Sequence, residues 1–61
     1  MIPDIVRQCI LEQQKLVHRE LTFAEVVDLI DGTPDEIRFE LQRMHNDGYL
    51  FFDGDVVMVY E

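Results

Sequence analysis

The run from Thr33 to Leu50, TPDEIRFELQRMHNDGYL, carries more start and stop signals than any other stretch and constrains the rest of the chain. Thr33 offers an acceptor hydroxyl at a helix N-cap, and Pro34 follows at the first helical position, where a missing N–H costs nothing. Glu36, three residues after Thr33, completes the pattern of a capping box. Ile37, Leu41 and Met44 recur at helical spacing as one apolar stripe. Gly48 supplies the left-handed conformation that ends a helix just past its last turn. The pattern predicts a helix from about Pro34 to about Asp47.

A second start signal lies upstream. Thr22 and Glu25 form another capping-box pair, with Leu21 outside it able to staple onto Val26. A helix is expected to follow, with Phe23, Val26, Val27 and Ile30 on its apolar side, ending at Asp31-Gly32. Since Gly32 abuts the Thr33 cap, the two helices are joined by a very short connection. Ahead of both, Pro3 suits an early helical position, and Ile2, Val6, Cys9, Ile10, Gln13, Leu16 and Val17 trace the inner face of a first helix. That helix is expected to end between Val17 and Arg19, with no glycine to mark the place.

After Gly48, YLFFDGDVVMVYE reads as a β-hairpin. Asp-Gly is the favoured two-residue loop of a type I′ turn, and apolar residues flank it on both sides. With Asp53-Gly54 as the loop, Phe52 faces Asp55, Phe51 faces Val56, Leu50 faces Val57 and Tyr49 faces Met58. Alternation then gives one face with Leu50, Phe52, Val57 and Val59, and another with Phe51, Val56, Met58 and Tyr60.

A capped helix, a short turn, the helix after Thr33 and a hairpin together resemble winged helix-turn-helix domains, through Thr33, Ile37, Leu41, Met44, Gly48 and Leu50. The resemblance spans nearly the whole chain. It implies an α+β fold over residues 1–61 as a single domain: a three-helix bundle with a C-terminal two-stranded antiparallel β-hairpin. It also implies that Leu50 points inward with Val57 and Val59, and that the third helix enters the major groove of duplex DNA, as is usual in the family.

Charge argues against that last implication. Thirteen acids and five bases give a net charge of −8. Residues 1–21 hold three of each sign, so the whole excess falls on residues 22–61, where ten acids meet only Arg38 and Arg43. Strong duplex binders neutralise roughly six to ten phosphates, which two arginines cannot supply. The hairpin has Asp53, Asp55 and Glu61 and no base. Where DNA-binding relatives often carry small hydroxylic or basic side chains, this chain has Asp35, Glu36 and Phe39. Phe39 is turned about 200° from Ile37, toward solvent.

Other functions lack the residues they need. The chain has no serine, and its single cysteine, Cys9, excludes an internal disulfide and a thiolate zinc cluster. Cys9 reads as a small buried hydrophobe of the first helix. His18 and His45 stand far apart with no ligand at metal-binding spacing, and His45 reads as a side chain tolerant of charge beside the negative end of its helix. No glycine-rich phosphate loop is present. The sequence therefore predicts no enzyme, no cofactor, no metal and no small-molecule substrate. No apolar run approaches the about 18 residues that span a bilayer, and no signal peptide is recognisable, so a soluble, cytoplasmic protein is expected.

Two readings of function follow. In the first, the chain is a small regulatory or adaptor protein acting through protein contacts, or through self-association. Its interface is the outer hairpin face of Phe51, Val56, Met58 and Tyr60 together with Phe39, because contiguous exposed apolar area is rare on monomers. In the second, it is a DNA-binding regulator that places Arg38, Gln42, Arg43 and Asn46 in the major groove. Arg38 and Arg43 read more simply as surface charges paired with nearby acids.

Overall fold

The computed structural model describes residues 3–60. The chain is a small α+β fold of three helices and a three-stranded antiparallel sheet: α1 Pro3–Val17, β1 Leu21–Thr22, α2 Phe23–Leu29, α3 Pro34–Asn46, β2 Leu50–Asp53 and β3 Val56–Val59. Ile2 and Glu61, assigned above to the inner face of the first helix and to the hairpin, lie outside the described residues.

Local capping explains where the helices begin. At the start of α2 the Thr22 hydroxyl accepts from the Glu25 N–H at 3.2 Å, and the Glu25 carboxylate accepts from the Thr22 N–H at 2.9 Å. Both halves of the expected box are formed. At α3 the Thr33 hydroxyl accepts from the Glu36 N–H at 3.2 Å, but the Glu36 carboxylate takes the Thr33 hydroxyl, at 3.0 Å, in place of its N–H. The end of α3 is a Schellman motif. Gly48 sits at φ 83°, its N–H donates to the His45 carbonyl at 3.1 Å, and the Tyr49 N–H donates to the Met44 carbonyl at 2.9 Å. His18 takes the left-handed position after α1 at φ 58°, which is why no glycine announced that boundary.

The hairpin departs from expectation in register. Leu50 lies opposite Val59, Phe51 opposite Met58, Phe52 opposite Val57 and Asp53 opposite Val56, so the loop is Gly54-Asp55 and not Asp53-Gly54. Only Gly54 takes positive φ there, 59°, which spares Asp53 and Asp55 a conformation that costs any residue with a Cβ. A distant bond fixes the choice: the Asp55 carbonyl accepts from the Phe23 N–H at 2.8 Å, at the start of α2. Because each partner moves by two residues, the alternation of side chains is preserved. Leu50, Val57 and Val59 are buried, as expected, and Phe52 on the same face is buried with them.

The sheet is not a two-stranded hairpin. β1, formed by Leu21 and Thr22, pairs antiparallel with Val57 and Val56, giving the order β1-β3-β2. Leu21 is fully buried beneath it. The helices cover the inner face of this sheet, α1 against β3 and α3 against β2. Val6 and Ile10 from α1, Val26 from α2, and Ile37, Leu41 and Met44 from α3 complete one core with the four inward hairpin residues. No buried polar side chain interrupts it among the described residues.

Packing corrects the reading of α1. Cys9 and Leu16 were expected on its inner face, yet Cys9 is exposed and Leu16 is 76% exposed. Val6, Ile10 and Val17 pack as expected, joined by Leu11.

Candidate protein-interaction surface

Along β3, alternate residues leave the sheet on the side away from the helices, so Val56, Met58 and Tyr60 form a continuous exposed row. Tyr60 follows the last paired residue and is 46% exposed. Phe51 stands beside Met58 as its cross-strand partner but is half-buried. Its ring meets the His45 imidazole edge-on, with centroids 5.7 Å apart and an interplanar angle of 78°. Expected as exposed as its neighbours, Phe51 is partly covered because α3 ends against β2 and presents His45 there.

The same imidazole closes part of the sheet edge. His45 Nδ1 accepts the outward N–H of Phe52 at 3.2 Å. His45 thus serves the strand edge as a hydrogen-bond acceptor from its place in the last turn of α3.

Phe39 occupies a different surface. It is 67% exposed on α3, over a shallow cleft of about 370 Å³ lined by Asp35, Glu36 and Glu40. The row along β3 borders another cleft, of about 480 Å³, where Met58 meets Gln14, Lys15, His18, Arg19 and Glu20. The structure thus separates the five proposed contact residues into an acidic aromatic site on α3 and an apolar row bordered by Lys15 of α1 and by His18, Arg19 and Glu20 just after it.

The alternative DNA-reading set is largely occupied within the molecule. The Arg38 guanidinium lies over the Phe23 ring at 4.1 Å, within 5.9 Å of the Phe52 ring, and donates to the Gly54 carbonyl at 3.3 Å. It pairs with none of the neighbouring acids, contrary to the simpler expectation, because the two aromatic faces and the turn carbonyl lie within reach. Arg43 does pair with an acid, Glu40, at 3.9 Å and in an exposed setting. The Gln42 amide donates to the Asn46 side chain at 3.1 Å.

One charge constellation is strongly perturbed. Arg19 grips Glu25 with two bonds, 2.8 and 2.9 Å, and this guanidinium, followed by the Thr22 N–H, holds the Glu25 carboxyl down at about 2. The Arg19 pKa is raised in turn, first by its hydrogen bond to Glu25. These groups cap α2. Among the described residues no group of three or more His, Cys, Asp or Glu side chains converges as a metal site would require. No described helix is long and apolar enough to cross a membrane.

The sequence reading missed one feature of the surface. Ile5 is 59% exposed on α1 and shares a face with Cys9 and Leu16. Cys9 and Leu16 were assigned to the core pattern of the same helix, and Ile5 was assigned to no face.

Compared with models of known protein families, with curated proteins and with solved structures, the chain matches none.

Proposed function

We propose that this chain is a winged-helix regulatory or adaptor protein, cytoplasmic, that works through contacts with other proteins. Three helices followed by a hairpin, with a short connection before α3, support the winged-helix reading. The observation that carries the function is the exposed row of Val56, Met58 and Tyr60 on a chain of net charge −8. Water-facing apolar area of this kind is stabilised by a protein surface, while the net charge of −8 repels a polyanion.

The DNA-binding alternative asks Arg38, Gln42, Arg43 and Asn46 to face a duplex. Arg38 would have to leave Phe23 and Gly54 to do so, and Arg43 would remain the other arginine of that helix. Phe39, in its acidic setting, suits a basic or amphipathic peptide better than phosphate.

Affinity capture from extract of the native cell, with and without nuclease, tests this function. Wild-type protein retains a partner after nuclease treatment, and Met58→Asp or Phe39→Asp releases it while the circular dichroism spectrum is unchanged. Retention that disappears with nuclease and is indifferent to both substitutions refutes the proposal.

A further inference from the structure

The chain has four phenylalanines, and the fold supplies ring partners for three of them. Phe23 and Phe52 tilt against each other with centroids 6.1 Å apart and share the Arg38 guanidinium, while Phe51 meets His45. Phe39 has no aromatic or cationic partner among the described residues, and it is 67% exposed. It stands about 200° around α3 from the buried Ile37, so its ring cannot reach the core.

The surroundings of the ring decide what can cover it. A helical side chain leans toward the preceding turn, which sets Phe39 beside Asp35 and Glu36, four and three residues before it. These two carboxylates and that of Glu40 line the cleft of about 370 Å³ next to the ring, and no base lines it. The arginines of this helix are turned elsewhere, Arg38 to Phe23 and Gly54, and Arg43 to Glu40. The face of an aromatic ring is itself negative, so ring and carboxylates favour the same sign of partner. An apolar group seated there would strip water from the acids without replacing it, and an acidic one would be repelled.

We infer that the occupant of this site is an arginine side chain in a basic segment of a partner protein, an inference that rests on the protein-contact function proposed above and names the chemistry of one of its surfaces. The planar guanidinium stacks on the Phe39 ring while its N–H groups donate to the Asp35 or Glu36 carboxylate. A lysine ammonium, compact and strongly hydrated, does not combine the two contacts as well. The fold already holds one guanidinium in this way: Arg38 lies 4.1 Å from the centre of the Phe23 ring and donates to an oxygen, the Gly54 carbonyl, at 3.3 Å. The site is open to water, so a single arginine binds weakly.

Titration of isotope-labelled protein with the end-blocked peptide Ala-Arg-Arg-Ala, up to about 10 mM at low salt and followed by amide and ring shifts in NMR, tests this. Shifts are expected at the Phe39 ring and across residues 35–40, with Ala-Lys-Lys-Ala binding about 3-fold more weakly and Ala-Leu-Leu-Ala producing none. Phe39→Leu keeps every charge and abolishes the preference for arginine over lysine. Asp35→Asn weakens the arginine peptide about 3-fold. Both positions are exposed, and the circular dichroism spectrum stays that of wild type. No shift with the arginine peptide, shifts spread evenly over the acidic surface, equal or tighter binding of the lysine or leucine peptide, or an arginine preference that survives Phe39→Leu overturns the inference. The titration needs no native partner, so its failure removes this inference alone, while the nuclease treatment in the capture experiment judges the wider function.

Discussion

The Gln14 side chain holds the backbone of Val59 at both ends: Oε1 accepts the Val59 N–H at 2.9 Å, and Nε2 donates to its carbonyl at 3.2 Å. β1 is only two residues long and reaches Val56 and Val57, so the next outward-facing peptide groups on that side of β3 have no strand beside them. The carboxamide replaces the missing peptide unit. Arg7 continues the seal by donating to the Tyr60 carbonyl at 2.8 Å. On the opposite edge His45 does the same for Phe52. Side chains from α1 and α3 thus block both edges against pairing with another strand, while the apolar row on the outer face stays open.

Gln14→Ala strips two bonds from a partly buried peptide group. The substitution is expected to destabilise the fold by about 1–3 kcal/mol, read as a lower urea midpoint, with faster hydrogen exchange at the Val59 amide. An unchanged Val59 exchange rate would show that the edge is closed by something else.

Arg38 joins α3 to the hairpin turn through Phe23 and Gly54. Arg38→Met keeps most of the stem but loses the cation over the ring, and should cost about 0.5–2 kcal/mol at neutral pH. Arg43→Met, which releases only an exposed pair, should lie within about 0.5 kcal/mol of wild type. Equal effects of the two would argue that Arg38 is as idle as a surface charge.

Those contrasts show how far the sequence could be read. Capping signals were legible because Thr22, Thr33 and Gly48 act on backbone groups no more than a few residues away. The loop was not, since Asp53-Gly54 and Gly54-Asp55 are both reasonable locally, and the bond from Phe23 to Asp55 decides between them from 32 residues away. β1 has two residues, too few for any alternation to register. On α1 the buried and the exposed apolar residues obey the same helical period, so Cys9 and Leu16 could be placed only by packing. Arg38 was legible as a cation, but the aromatic faces that capture it come from two other elements.

Acid weakens the start of α2 in a defined window. The Glu25 carboxyl sits at about 2 in the fold against an ordinary 4.5, held down by Arg19 and the Thr22 N–H. A depressed carboxylate contributes stability above its unfolded value and loses that contribution as pH falls from about 4.5 to about 2. Glu25→Gln is therefore expected to be less stable than wild type at neutral pH, with the difference closing over that window. Carbon-detected titration of Glu25 should give a midpoint near the lower value, moving up in Arg19→Ala. A midpoint at an ordinary carboxylate value in wild type would contradict the grip seen between the two side chains.

Leu41, 1% exposed at the centre of α3, tests the core. Leu41→Ala should cost about 2–5 kcal/mol, a large share of the stability available to so small a domain. Phe39→Ala on the same helix, two residues earlier and facing solvent, should change the thermal midpoint little. Similar losses at both positions would mean that the two faces of α3 are misassigned.

Titration of labelled duplex DNA with the wild-type protein at low salt, followed by gel shift, tests most directly whether this surface was built for a polypeptide. No complex is expected up to about 100 μM protein, a range in which even non-specific duplex binders are retained. A retarded complex that weakens steeply with added salt and disappears in Arg38→Ala would contradict the account.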